Sequence, residues 1–161
     1  MMSESTSLPS NVFRASAGAI ITNADGKVLA LERMRIKGAW QMPQGGLKEN
    51  EEPLDAALSE VQEETGLAAI DIQLLAEYPE WLAYELPKDT RSGKYGRGQV
   101  QKWFLFRLTS SEEKISLDQH DVQEFSSWKW TTLRELAKVT APFRQRIYEK
   151  LANGFSQYLA E

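Results

Sequence analysis

The segment between Pro53 and Gly66 is the strongest structural constraint in the sequence. Its apolar residues follow the i, i+3, i+4, i+7 spacing of one helix face: Leu54, Ala57, Leu58 and Val61. Pro53 suits a first helical turn and Gly66 suits a C-terminal stop. We therefore predict a helix over residues 53–64.

Strand patterns lie on both sides of this helix. Apolar and aromatic runs predict strands at 17–21, 28–31 and 125–130, and long strands at 74–84 and 99–108. Asp25 and Gly26 favour a hairpin turn between the first two strands. Residues 38–46 are predicted as a loop, and 133–139 and 143–158 as helices. This order predicts an α/β fold, with a central mixed β-sheet covered on both faces.

Length and charge limit the possible functions. With 161 residues the chain suits one domain, which we place at 12–161 behind a flexible leader at 1–11. The net charge of −4 argues against a protein that grips duplex DNA through a broad basic face. Cysteine is absent and His120 is the single histidine, so thiolate, cysteine-zinc and triad chemistry are disfavoured.

The sequence also bears on location and assembly. Its first ten residues are polar and lack the apolar region of a secretory signal. No apolar run approaches the roughly 20 residues that a membrane-spanning helix needs. We therefore expect no membrane association and a cytoplasmic protein. The oligomeric state is left open.

Three glutamates share one side of the predicted helix. At about 100° per residue, Glu60, Glu63 and Glu64 fall within an arc of roughly 100° beside the apolar stripe. Carboxylate oxygens favour hard cations, and Mg²⁺ commonly joins carboxylates to substrate phosphates. Mg²⁺ is thus the expected cofactor, with Mn²⁺ as a substitute. The alternative is a solvated acidic face, which is common on helices.

The stretch 45–67, GGLKENEEPLDAALSEVQEETGL, resembles the Nudix box. It matches at Gly45, Glu51, Glu60, Val61, Glu63, Glu64, Gly66 and Leu67. It departs at Ser59, where the family has an arginine thought to brace the loop and orient the glutamates. The segments WQMPQGG (40–46) and GQVQKWFLF (98–106) are similar to the RNA pyrophosphohydrolase and diadenosine polyphosphate hydrolase branch. The resemblance implies the Nudix fold, an α/β/α sandwich.

The resemblance also implies a set of metal-site residues. Gly45 is similar to a glycine whose backbone carbonyl binds the metal, and Glu60 and Glu64 are similar to carboxylate ligands. Glu63 is expected as a further ligand. Glu124 resembles a distant acidic residue that completes the metal cluster or acts as the base. Glu63, Glu64 and Glu124 are the candidate catalytic residues, and their sharing of roles stays open.

Substrate contacts are expected from basic and aromatic side chains, because phosphates attract cations and bases stack on rings. The candidates are Arg14, Arg33, Tyr84, Lys102, Phe143 and Arg144. Core packing is the alternative for Phe143. The loop 87–98 carries Lys88, Arg91, Lys94 and Arg97, and it either closes over a phosphate chain or is a solvated hairpin end.

The predicted function is hydrolysis of phosphoanhydride bonds in a nucleotide substrate. The expected substrates are 5′-triphosphorylated RNA, from which pyrophosphate is released, and dinucleoside polyphosphates. One alternative is a catalytically weak nucleotide sensor, suggested by Ser59. Another is hydrolysis of ADP-ribose or a nucleoside sugar.

Overall fold

The computed structural model describes residues 11–91 and 96–161. The predicted leader, apart from Asn11, and Lys94 of the basic loop lie outside these residues. The described residues form eight strands and three α-helices. The strands are β1 (Phe13–Thr22), β2 (Val28–Arg33), β3 (Trp40–Gln41), β4 (Gln44–Gly46), β5 (Ile72–Glu77), β6 (Leu82–Glu85), β7 (Gly98–Leu108) and β8 (Phe125–Thr131). The helices are α1 (Pro53–Thr65), α2 (Leu133–Val139) and α3 (Pro142–Gly154).

The strands form one mixed sheet with β1 and β7 at its centre. The main strand order is β3-β2-β1-β7-β5, while β4 pairs with β1, β6 with β7 and β8 with β2. β1 and β7 run parallel over ten registered pairs, and the other pairings are antiparallel. The predicted mixed sheet is therefore confirmed.

Each face of the sheet has its own apolar core. On one face, β1, β2 and β7 pack against α1 through residues such as Ala19, Val61 and Phe104. On the other face, Ile20 and Trp103 of the same strands pack against α2 and α3. Alternate residues of β1 and β7 thus enter opposite cores, as strand geometry requires. The α/β/α sandwich is confirmed.

The predicted helix α1 is confirmed and is one residue longer than predicted. It begins at Pro53 and ends at Thr65, and Gly66 adopts the left-handed conformation with φ 76°. The last helix is shorter than the predicted 143–158. It ends at Gly154, after which the chain continues in turns.

Two predictions about the sheet were wrong. The predicted strand 74–84 is two strands, because Pro79 lies between them and cannot donate a ladder hydrogen bond. The predicted loop 38–46 contains β3 and β4, so Gly45 and Gly46 lie in a strand. Apolar periodicity could not show this, because β4 has no apolar side chain and its pairing with β1 is long-range.

The hairpin turn between β1 and β2 is confirmed. Gly26 has φ 77°, and its amide donates to Asn23 O over 3.1 Å. No helix in the described ranges is long and apolar enough to cross a bilayer.

Candidate active site

Strand β4 presents its three residues to alternate faces of the sheet. A Cβ added at Gly45 would overlap the Glu60 carboxyl group, so this glycine leaves the space in which Glu60 lies. A Cβ added at Gly46 would instead overlap the Arg14 guanidinium on the opposite face. The two adjacent glycines thus separate an acidic face, beside α1, from a basic face, beside α3.

Two carboxyl groups of α1 lie together behind β4. Burial, together with the charges of Glu63, Glu124 and Glu51, raises the pKa of Glu60. Glu64 is 5% exposed, and burial, a hydrogen bond to Glu60 and the charges of Glu60 and Glu124 hold its pKa well above the ordinary range. The Gln44 amide opposes this effect. The pair therefore favours a shared proton over two negative charges.

This pair has the properties of a cation site. Glu64 Oε1 is buried and has no hydrogen-bond partner, which is costly for a carboxylate unless a cation neutralises it. Within residues 11–91 and 96–161, no three acidic, histidine or cysteine side chains form a ready-made metal cage. Mg²⁺ does not require one, because it commonly binds one or two carboxylates and completes its shell with water and substrate phosphate. The residues present fit such an ion.

The other predicted acidic residues differ in their relation to the pair. Glu124 is exposed and its charge acts on both Glu60 and Glu64, and its backbone carbonyl accepts from Met34 N over 2.8 Å. This bond fixes the loop before β8 beside β2. The charge of Glu63 contributes to the raised pKa of Glu60. Its side chain lines a separate cavity at the end of α1.

That separate cavity also contains Ser59. It has a volume of about 320 Å³ and is lined by Ser59, Gln62, Glu63, Gly66, Gln119 and His120. None of these lining residues is a lysine or an arginine. The arginine that the family pattern has at Ser59 is therefore not replaced there by another permanent cation.

An aromatic and basic cluster occupies the opposite face. The rings of Tyr84 and Phe143 lie 5.0 Å apart, and Arg144 Cζ lies 4.7 Å from the Phe143 ring centre. Burial raises the pKa of Tyr84, while the Arg144 and Arg14 charges and the Gln44 side chain oppose this rise. Arg144 Nε is buried without a partner. The structure thus brings Arg14, Tyr84, Phe143 and Arg144 together.

The remaining candidate cations lie apart from that cluster. Lys102 projects toward the α1 face, where its Nζ lies 3.3 Å from Glu77 and donates to Pro79 O. Arg33 is exposed at the end of β2. In the basic loop, Arg91 and Arg97 both pair with Glu85, at 3.0 and 2.8 Å.

Buried glutamines near the site were not predicted as functional residues. Gln101 is 1% exposed and hydrogen-bonds to Gln44, Gln99 and Trp103. A signal for them exists in the sequence, because Gln99 and Gln101 share the strand face of the aromatic residue Trp103. Polar residues at core-facing positions require partners and so mark a network.

Comparison with known proteins identifies the family and relatives of the chain. A NUDIX domain model matches residues 12–151. The chain is 38% identical to an RNA pyrophosphohydrolase of Acidiphilium cryptum, over 98% of this chain and 96% of that protein. It is 35% identical to Nudix hydrolase 26, chloroplastic, of Arabidopsis thaliana, over 94% of this chain and 73% of that protein.

Solved structures share the fold. A C. elegans Ap4A hydrolase in a binary complex superposes with a TM-score of 0.67 at 20% identity, covering 90% of this chain and 99% of that one. The NUDIX domain of Shewanella oneidensis NrtR, complexed with ADP ribose, superposes with a TM-score of 0.57 at 16% identity. The chain belongs to the Nudix hydrolase family.

Proposed function

We propose that this chain is a Mg²⁺-dependent pyrophosphohydrolase that releases pyrophosphate from 5′-triphosphorylated RNA. The observation that carries the proposal is the Glu60–Glu64 pair beside Gly45: Glu64 is buried with an unpaired carboxylate oxygen, and the half-buried Glu60 lies next to it. The similarity to RNA pyrophosphohydrolases along nearly the whole chain supports the choice of substrate. A cytoplasmic location stays a prediction from the sequence.

The residues that would hold the ion are Glu60 and Glu64. The carbonyl of Gly45, which the resemblance suggested as a further ligand, belongs to a hydrogen-bonded pair with Ala17 and points toward β1. A bound Mg²⁺, or Mn²⁺ in its place, would neutralise charge on the phosphates and lower the pKa of a water molecule. Gly45 keeps the Glu60 carboxyl close to the β4 backbone. Water attacks phosphorus, the bridging anhydride P–O bond breaks, and the proton of the water passes to a glutamate.

Of the three candidate bases, Glu124 fits best. Glu64 is buried and would ligate the ion, and Glu63 lines the neighbouring cavity. Glu124 is exposed and close enough for its charge to act on both members of the pair. A base in this position returns its proton to solvent after each turnover.

The basic face would bind the nucleoside end of the substrate. Phe143 and Arg144 offer a ring and a planar cation side by side, and the buried Arg144 Nε has hydrogen-bonding capacity to spare. Arg14 faces the same cluster from β1. A base stacked there would direct its phosphates around the edge of β4 toward Glu60 and Glu64.

A second candidate substrate is a dinucleoside polyphosphate. The same cluster favours it, because a nucleoside joined to a polyphosphate chain presents the same two groups to the two faces. The same residues would therefore bind either substrate.

One side-by-side assay tests the proposal. Purified protein with Mg²⁺ is given 5′-triphosphorylated RNA, diadenosine tetraphosphate or ADP-ribose, with EDTA as the control. We expect Mg²⁺-dependent pyrophosphate release, with the highest kcat/KM on RNA. Preference for ADP-ribose would overturn the substrate assignment, and no turnover of any substrate would favour the sensor alternative.

A further inference from the structure

A chain of side-chain hydrogen bonds joins the centre of the sheet to strand β4. Trp103 Nε1 donates to Gln101 Oε1 over 3.1 Å, and Gln101 Nε2 donates to Gln44 Oε1 over 2.8 Å. Trp103 is 0% exposed and Gln101 is 1% exposed. Breaking a bond in such a place leaves a buried polar group unpaired, which is unfavourable.

The direction of every bond in this chain is set by Trp103. An indole N–H is a donor only, so Gln101 must present its carbonyl oxygen to it and its NH₂ group to Gln44. Gln44 must then accept with its own oxygen. The NH₂ group of Gln44 then faces Tyr84, and the Gln44 side chain interacts with the Tyr84 hydroxyl.

The backbone of the same residue serves the acidic face. Gln44 is opposite Gly18 in the β1–β4 ladder, and the ladder hydrogen bonds join the pairs on either side of this one. The N–H and C=O groups of Gln44 therefore point away from β1. There the amide faces the Glu64 carboxyl. The next residue, Gly45, has no side chain and so leaves the space that the Glu60 carboxyl group occupies.

Few other interactions hold strand β4 in place. It is three residues long, two of them are glycines, and β1 is its sheet partner. Glycine weakens a strand because it has no side chain to pack and loses the most backbone entropy. The Gln44 side chain is thus an anchor for a weak strand on which the acidic site is built.

We propose that Gln101 and Gln44 are positioning residues for the metal site: through the chain from Trp103 they hold β4 in the register that places Glu60 and Glu64. This inference rests on the proposed function. Neither glutamine is required to touch the ion. Both act by holding the β4 backbone, while the outward NH₂ group of Gln44 serves the substrate face.

The test compares Gln101→Leu with Gln99→Leu. Both changes remove a buried glutamine from the same face of β7 and the 3.3 Å hydrogen bond between Gln101 and Gln99, but only Gln101 also bonds to Gln44. Mn²⁺ affinity is measured by calorimetry on substrate-free protein, and kcat and KM on triphosphorylated RNA. For Gln101→Leu we expect Mn²⁺ Kd to rise and kcat to fall, each about tenfold, as for outer partners of metal ligands. KM changes less than about twofold, and Gln99→Leu resembles the parent.

A second pair of variants keeps the test decisive if Gln101→Leu fails to fold. Gln44→Leu breaks the chain at its half-buried end. Gln44→Glu keeps an oxygen for Gln101 and loses the outward NH₂ group. We expect Gln44→Leu to weaken Mn²⁺ binding about tenfold, while Gln44→Glu binds within about threefold of the parent but has a raised KM.

The outcomes separate this inference from the proposed function. Equal Mn²⁺ affinity in the parent, Gln101→Leu and Gln44→Leu would overturn the positioning role alone, provided that the parent hydrolyses RNA. Equal weakening by Gln99→Leu and Gln101→Leu would overturn it too, because a general loss of core polarity would then explain the effect. A parent that binds no Mn²⁺ would overturn both.

Discussion

Replacing Gly45 by alanine tests the acidic face with one methyl group. The added Cβ would overlap the Glu60 carboxyl carbon and Oε1. Gly45 is not among the glycines with positive φ, so alanine fits the backbone conformation of β4. The variant therefore changes the position of a carboxylate without straining the chain.

The size of the effect follows from the geometry. Ordinary contact between carbon atoms lies at about 3.5–4.0 Å, so the carboxyl group must move by more than about 1 Å. A misplacement of about 1 Å in a catalytic arrangement can cost about 100-fold in rate, or roughly 2.7 kcal/mol of barrier. We expect stability to change by less than about 1 kcal/mol, because alanine loses less backbone entropy than glycine and the displaced group ends a flexible side chain.

The assay measures kcat and KM for triphosphorylated RNA, Mn²⁺ Kd, and urea unfolding. Gly46→Ala is the matched control, because its Cβ would overlap the Arg14 guanidinium on the opposite face. We expect Gly45→Ala to lower kcat about 100-fold and to weaken Mn²⁺ binding. Gly46→Ala should raise KM and leave Mn²⁺ Kd unchanged.

Two results would refute this reasoning. One is a Gly45→Ala variant that keeps kcat within about threefold of the parent, a loss of only about 0.7 kcal/mol. The other is a weakening of Mn²⁺ binding by Gly46→Ala as large as that by Gly45→Ala. The second result would mean that β4 does not separate the two faces.

Three further predictions concern Glu64, Tyr148 and Ser59. Burial holds the pKa of Glu64 above its ordinary value of 4.5, so the metal-free protein loses stability as pH rises from 4.5 through that raised pKa. Glu64→Gln should therefore raise the free energy of unfolding of EDTA-treated protein at neutral pH and leave it unchanged below pH 4.5, as measured by urea unfolding. An increase in that free energy that does not depend on pH would contradict this prediction. Tyr148→Phe leaves the Met42 amide, now bonded at 2.9 Å, without a partner and should cost about 1–3 kcal/mol in the same assay, and a loss below about 0.5 kcal/mol would refute it. Ser59→Arg should raise kcat if a brace is missing, and a lower kcat would contradict that idea.

The local parts of the fold could be predicted from the sequence. Helix α1 follows from its periodic apolar residues and from Pro53 and Gly66, and the first hairpin follows from Asp25 and Gly26. Strand β4 could not be predicted, because a Gln-Gly-Gly segment has no intrinsic strand preference. Its pairing with β1 is a long-range contact that only the assembled sheet supplies.

In the candidate site too, local features could be predicted from the sequence and long-range contacts could not. The helical arc of Glu60, Glu63 and Glu64 suggested one cluster of carboxylates. In the structure Glu60 and Glu64 lie together, while Glu63, whose charge acts on Glu60, also lines a separate cavity. The helical arc of about 100° does not show which cavity each side chain lines. The elements that pack beside the helix decide this, and helix periodicity does not reveal them. The role of Gln44 was hidden for a similar reason, since its partner Gln101 lies 57 residues away.

The most direct test of the metal site is a crystal structure of the protein soaked in Mn²⁺, with the ion located by its anomalous scattering. We expect a peak in coordinating contact with the Glu60 and Glu64 carboxylates beside Gly45, and loss of that peak in Glu64→Gln. A peak bound elsewhere, or one that persists unchanged in Glu64→Gln, would contradict this expectation.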